Sequence, residues 1–515
     1  MNLVDSLRKW SELTPSHIAI VDVDRDVRVS FFDLMERATF LAHGLSFAGL
    51  KKGDRVAVLS TNRAEYFEIY YACAIAGFIA QPINWRLAAD EIARIIEDGS
   101  PKALVCEDQF LEMKTEIKSK ITLSLLHLEL GSDSDQSYES LIVDQEKPEN
   151  SYEVEANDPV LILYTGGTTG LSKGALHTHH SLYMGMLNQT VAERIVPTDV
   201  YMLTGQMFHI PVALAMNYLA HGCPCVLINF EAKKALKAIE QEKVSAFLGI
   251  TTMLNWMMAE KDFEKYDLSS LRNIQYGGGP MPASVVRAAL KSFPCTLIQG
   301  YGQTEGMTMT FLSQEDHHDA IHDANEKKLS SCGRAGFVTE VKVVDDDGNS
   351  VPKDGSSSGE IIIKSEANMI GYWQKPDLTA KTIKNGWMWT GDIACWDKDG
   401  YIYIVDRAKD MIISGGENIY STQVEAAIHN HSGVLECAVI GIPDNEWGES
   451  VKAVVVMKPG ENASEQEIID AAKRSLASYQ KPKFVEFRES LPKAPTGKIL
   501  KRELRDPHWT ADKKI

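Results

Sequence analysis

The sequence predicts an α/β protein in two parts. A large N-terminal α/β domain of layered sheets and helices, with a β-rich subdomain, is expected over residues 1–406, and a small α+β domain over 407–515. Three observations carry this reading. The chain has 515 residues, more than one hydrophobic core supports. Short apolar runs rich in β-branched side chains alternate with longer amphipathic stretches, the pattern of α/β layering. Beyond about residue 330 the pattern turns to hairpins, and after Arg407 a compact unit of helices and strands follows.

In chain order, strands are expected at RVAVLS (55–60), KALVCE (102–107), PVLILYT (159–165), PCVLINF (224–230) and SAFLGI (245–250). Amphipathic helices are expected from Ala232 to Lys243 and from Pro282 to Phe293. GEIIIKS (359–365) and YIYIVDR (401–407) read as strands, with DKDG (397–400) as a turn. The last unit reads as helix 421–431, strand 436–442, strand 450–457 and helix 464–477. DRAKD (406–410), polar and charged, fits a hinge.

A formal charge of −18 excludes a broad basic face, so nucleic acid is not an expected partner. The N-terminus mixes charges where an export leader needs an apolar core, and no run of about 18 apolar residues suggests a spanning helix. Eight cysteines are scattered without a C-x-x-C pair, which fits reduced thiols and a cytoplasmic location. Oligomeric state stays open, a homodimer among the options. The histidines 177, 179, 180, 317, 318 and 322 have neither zinc-finger nor H-E-x-x-H spacing, and read as solvated or helix-start residues.

The most informative segment is LYTGGTTGLSKG (163–174). A strand delivers a loop of Gly, Thr and Ser ending in Lys173, and such a loop offers backbone N–H groups, hydroxyls and a point charge to a polyphosphate. It is not a Walker A loop, because Lys173 is followed by Gly174 rather than by a hydroxyl residue. Gly170 to Gly174 does satisfy G-x-S-x-G, which would make Ser172 a hydrolase nucleophile. That elbow needs a strand running straight into a helix, and a glycine/threonine coil precedes Ser172 instead. QGYGQTEG (299–306) nearly imitates a dinucleotide fingerprint, but its third glycine falls one position late.

YTGGTTGLSKG, QGYGQTE (299–305), TGD (390–392), DRAKDMIISGGENIYSTQVE (406–425), GIPDNEWGE (441–449) and PTGK (495–498) occur in that order. On these motifs the chain resembles the adenylate-forming superfamily of acyl- and aryl-CoA synthetases, firefly-type luciferases and peptide-synthetase adenylation domains. The resemblance implies ATP, Mg²⁺ and coenzyme A as substrates and cofactor. Thr165, Gly166, Gly167, Thr168, Thr169, Gly170 and Lys173 would hold phosphates. Glu305, with Thr165, would hold Mg²⁺, and Thr304 would meet the α-phosphate. Gln299, Gly300, Tyr301 and Gly302 would line the adenine pocket with Gly278 and Gly279, Tyr301 stacking on the base. Asp392 would bind the ribose, assisted by Arg407. Lys498 would be the catalytic lysine of adenylation. The small domain would then turn about Lys409 and bring Ser414, Gly415, Gly416 and Glu417 to the site for coenzyme A.

Amino-acid-activating relatives carry an Asp after the aromatic of the segment that here reads MFHIPVALAMN (207–217). His209 follows Phe208 instead, so the partner for a substrate ammonium is missing. The resemblance therefore points to fatty-acyl or 4-coumarate-type ligases, with His209 beside the carboxylate. Phe208, His209, Val212, Met216, Gly249 and Met307 would form the acyl pocket, with Tyr183, Met184, Thr252 and Met309 near it. Three rivals remain at this level: a ligase loading a carrier-protein phosphopantetheine, a serine hydrolase using Ser172, and a non-catalytic adenylate-binding regulator.

Overall fold

The structure, a computed structural model, describes residues 2–142, 152–165, 172–279, 281–322, 326–415, 417–444, 446–474, 476–477, 479–493 and 499–509. The chain forms two compact units, residues 1–341 with 363–388, and residues 342–362 with 389–515. It passes from one to the other within the strands Thr339–Val344, Ser358–Ser365 and Trp387–Trp396. Compactness thus assigns residues 389–406 to the second unit, while the hinge expected at Lys409 concerns a motion.

Over the described residues, the first unit holds a nine-stranded and a seven-stranded sheet with helices between the strands in sequence. The nine-stranded sheet is parallel from Ile18–Asp22 through Cys225–Leu227, Tyr201–Leu203, Ala246–Leu248 and Asn273–Gly277 to Thr296–Gln303. The seven-stranded sheet is parallel across Leu126–Leu130, Ala103–Glu107, Arg55–Leu59, Ile79–Pro82 and Pro159–Thr165. Parallel strands are covered on both faces, so they read as continuous apolar runs, and all five residues of Ala103–Glu107 are buried. Val160, Leu161, Ile162 and Leu163 are at most 2% exposed, each burial favouring the fold by about 1.5–3 kcal/mol.

Each large sheet ends in an antiparallel hairpin. Pro159–Thr165 turns back into Lys173–Thr178, and Thr296–Gln303 turns back into Met307–Leu312. The short strand Gly371–Tyr372 pairs outside Lys173–Thr178, with Tyr372 opposite Ala175. The helix His179–Glu193 follows directly, its N-terminus closed by a capping box between Thr178 and Ser181.

In the second unit, Glu417–Ile419, Ile412–Ser414, Gly448–Met457 and Val434–Asp444 form an antiparallel sheet, with Phe484–Phe487 parallel on Gly448–Met457. Helices Ser421–Ile428 and Glu465–Lys473 cover it through Val424, Ile428 and Ile468, packed with Ile412, Val439 and Val455. The expected elements are present but several are shorter. The run PCVLINF keeps only Cys225–Leu227 as strand, because the Asn229 N–H and side-chain amide both turn to Asp24 Oδ2.

Candidate active site

The two hairpin tips of the first unit carry the motifs that the sequence singles out. Thr165 and Lys173 face each other at the mouth of the glycine-rich loop, where the Thr165 hydroxyl lies 3.5 Å from the Lys173 carbonyl. Thr304 and Glu305 lie in the tight turn from Gln303 to Met307, closed by a 3.1 Å bond from Gly306 N–H to the Gln303 carbonyl. Two features make that turn unusual. Met307 has φ +57°, a left-handed conformation that costs a non-glycine residue about 1–2 kcal/mol. A Cβ at Gly302 would overlap the Met307 main-chain oxygen, so only glycine fits there.

Three hydrogen bonds hold this turn to the other hairpin and to the segment paired along its outer edge. His177 Nε2 donates to the Thr304 carbonyl at 2.7 Å, Met369 N–H donates to the Glu305 carbonyl at 2.7 Å, and the Tyr372 hydroxyl donates to Glu305 Oε1 at 2.8 Å. The Lys173 ammonium sits 5.4 Å over the Tyr372 ring. Burial pushes His177 down to about 4, so the imidazole is neutral and carries its proton on Nε2. Burial, then the Glu305 charge, raises Tyr372 far above the usual phenol range, which keeps it a donor. Thr165, Lys173, Thr304 and Glu305 are therefore brought into one constellation.

Beside it, Gly277 pairs with Gly300 at the end of the parallel ladder, and Gly278 and Gly279 follow. A Cβ built on Gly278 or Gly279 would meet nothing within 4 Å, so their backbone borders open space. Among the described residues, the buried Gln275 Oε1 has no hydrogen-bond partner, and its side chain lies against Gly300. Open backbone and an orphaned acceptor fit a nucleotide that brings its own N–H donors. Tyr301, on the same strand, is 8% exposed. For Mg²⁺ the donor set also fits. A single carboxylate, with Oε1 taken by Tyr372 and Oε2 available, suits a cation held mainly by phosphates and water.

The residues expected around an acyl group are packed rather than open. Phe208, Val212, Met216 and Met307 are at most 3% exposed, and Met309 is fully buried. Val212, Met216 and Met307 share one apolar cluster. The His209 ring lies tilted against Phe208, with centroids 4.7 Å apart, just before the helix Pro211–Ala220. Gly249 leaves no room for a Cβ, which would stand 2.6 Å from Leu254, while Tyr183 and Met184 are half-buried and Thr252 is exposed.

In the second unit Asp392 and Arg407 are cross-strand partners, Nε to Oδ1 at 2.5 Å, with Asp392 2% exposed and Arg407 reaching outward. Ser414 and Glu417 face each other in a hairpin whose tip includes Gly415 at φ +61°, packed so that a Cβ would stand 2.8 Å from the Trp447 ring. The Lys409 carbonyl accepts from Arg505 Nη1 at 2.6 Å. Gly166, Gly167, Thr168, Thr169, Gly170, Gly416 and Lys498 lie outside the described residues.

The rejection of Ser172 as a nucleophile elbow is supported, since its loop returns into a strand rather than a helix and its hydroxyl faces Glu91 Oε1 at 3.3 Å. One sequence reading is corrected in part. His179 does begin the helix His179–Glu193, but the histidines 177, 179 and 317 are not solvated: they are at most 1% exposed, and His317 joins Tyr276 at 2.9 Å. Sequence reasoning missed both His177 and Tyr372 as members of the site. No signal of spacing marks them, because each acts on a residue far along the chain.

A profile of the AMP-binding enzyme family matches residues 7–373, and one of the AMP-binding enzyme C-terminal domain matches residues 423–498. The chain is 36% identical over 481 residues to a feruloyl-CoA synthase of an Amycolatopsis species, with 93% of each chain covered. It is 33% identical over 491 residues to the fatty acid–acyl-carrier-protein ligase ScoC of Streptomyces coeruleorubidus, covering 93% of this chain and 92% of that one. A solved fatty acyl CoA synthetase of Mycobacterium tuberculosis matches with TM-score 0.79 and 34% identity, covering 98% of both chains. With its ordered motifs and its two hairpins linked through His177 and Thr304, this chain belongs to the AMP-binding enzyme family, among its AMP-forming acyl-CoA synthetases.

Proposed function

We propose that the chain activates a hydrophobic carboxylate, a fatty or an aryl acid, and transfers it to coenzyme A. A carboxylate oxygen attacks the α-phosphorus of ATP and pyrophosphate leaves. The sulfur of coenzyme A then attacks the acyl carbonyl, AMP leaves, and the thiol proton passes to solvent. The observation that carries this reading is the joining of Lys173, Thr304 and Glu305 beside the open backbone of Gly278 and Gly279. Charge develops on phosphate oxygens during such a transfer, and fixed donors and cations there lower its barrier. Mg²⁺ bound at Glu305 would supply further neutralisation of the phosphates. Asp392 would accept from the ribose hydroxyls, and Lys498 would reach the reacting carboxylate.

Apolar Phe208, Val212, Met216 and Met307, and His209 where an amino-acid-activating site has Asp, support a hydrophobic acid without an ammonium group. The names of the relatives span an aryl acid and a fatty acid, and agree with that class. One relative is named for an acyl-carrier-protein acceptor, which supports a second reading with the same first half-reaction.

AMP release from ATP and Mg²⁺, measured across acids from acetate to long fatty acids, benzoates and cinnamates, tests both. Release that requires coenzyme A with one acid class supports the first reading and identifies the acid. Release that requires a phosphopantetheinylated carrier protein supports the second. No release with any acid or acceptor overturns both.

A further inference from the structure

We propose that Tyr372 is a positioning residue that orients the Glu305 carboxylate for the divalent cation and ties that orientation to the base of the phosphate loop. This rests on the reading that Glu305 serves Mg²⁺, and goes beyond it by assigning the residue that aims the carboxylate.

Glu305 sits in a turn only a few residues long, where its side chain would otherwise choose among several rotamers. The segment from Met369 to Trp373 removes that freedom. Met369 N–H holds the Glu305 carbonyl at 2.7 Å, and the Tyr372 hydroxyl holds Oε1 at 2.8 Å. The segment is itself fixed on the strand that leaves the phosphate loop, by Ile370 N–H to the Leu176 carbonyl at 2.9 Å and Trp373 N–H to the Gly174 carbonyl at 2.8 Å. The Tyr372 main chain is held as well, its N–H donating to Thr379 Oγ1 at 2.9 Å.

The ring does a second job. Lys173 lies 5.4 Å over its face, so one side chain meets the cation that closes the phosphate loop and the anion that would face the metal. Tyr372 is only 8% exposed, which shields its side of both contacts from water, while Lys173 and Glu305 are half-buried. A phenylalanine would keep the face for Lys173 and lose only the hydroxyl.

The test is calorimetric titration of ATP into the whole protein at stepped Mg²⁺ concentrations, with neither acid nor acceptor present. Tyr372→Phe is expected to need about tenfold more Mg²⁺ for half-maximal ATP binding, the scale of a lost hydrogen bond to a charged group, with ATP binding in EDTA unchanged. An unchanged Mg²⁺ midpoint in Tyr372→Phe overturns the proposal. Glu305→Gln separates it from its premise: if that variant also leaves the midpoint unchanged, the metal reading of Glu305 fails first. The double variant guards against a general loss of structure. Its midpoint should equal that of Glu305→Gln alone, and additive shifts would show that the hydroxyl acts elsewhere.

Discussion

The buried imidazole of His177 donates from Nε2 to the main-chain oxygen of Thr304 at 2.7 Å, joining residues 127 positions apart. Its other nitrogen lies 3.3 Å from Ser181 Oγ, in the capping box of the helix that follows. The Thr304 carbonyl, and with it the main chain of the turn, is thus held against the first hairpin. Replacing His177 by Leu strands that carbonyl, at a cost of about 1–3 kcal/mol. The expected result is a drop of about tenfold or more in kcat/KM for ATP. His177→Gln, which keeps an N–H donor at similar reach, should recover most of it. Equal activity of the Leu variant and the parent would remove His177 from the site.

Two glycines of the same region should respond in opposite ways. Gly302→Ala forces a Cβ into the Met307 carbonyl, so the hairpin must open, and the melting temperature should fall by several degrees. Gly279→Ala meets nothing within 4 Å in the protein and should melt like the parent. Its methyl group would instead enter the space read as the nucleotide's, raising KM for ATP. A Gly279→Ala protein with unchanged KM would place the nucleotide elsewhere.

Asp392 is 2% exposed and is held by Arg407 Nε at 2.5 Å, so its carboxylate is fixed in one orientation. If it accepts from the ribose, the parent enzyme should prefer ATP over 2′- and 3′-deoxy-ATP. Asp392→Asn keeps the shape but donates as well as accepts. It should weaken ATP binding and shrink that preference toward unity. A discrimination between ATP and its deoxy analogues that survives the substitution would assign the ribose to another group.

Much of the fold was legible because parallel strands announce themselves as unbroken apolar runs. RVAVL and ALVCE are examples, and both are paired on two sides. The glycine-rich loop and the Thr304–Glu305 turn were legible from composition and motif order. What joins them was not. Tyr372 reaches Glu305 over 67 residues and His177 reaches Thr304 over 127, and local patterning carries no information about such pairings. His177 was misread because its neighbours in sequence include Thr178, His179 and His180, which look solvated. Its burial comes from its pairing with Leu161 and the helix that begins behind it. Strand ends failed for a related reason, as at Asn229, where a side chain competes for the ladder.

The buried carboxyl of Glu193 predicts a pH dependence of stability with a definite sign. It takes a 2.6 Å bond from the Tyr218 hydroxyl and a 3.1 Å bond from the Gln189 amide, with Arg272 and Asp199 nearby. Burial pushes it up to about 7, against an ordinary value of 4.5. Between those two values the folded protein keeps a proton that the unfolded chain has released. Its contribution is therefore fully present below pH 4.5 and is lost as pH rises to about 7, by up to about 3 kcal/mol. The neutral histidines 177, 179 and 317, each pushed down to about 4 chiefly by burial, act oppositely and favour the fold as pH rises from 4 to 6.5. Those histidines are unchanged in Glu193→Gln, so they cancel in the difference between variant and parent. The amide has no proton to lose, and the melting temperature of Glu193→Gln relative to the parent should rise between pH 5 and pH 8. A constant difference across that range would mean that Glu193 is already ionised in the folded protein at pH 5.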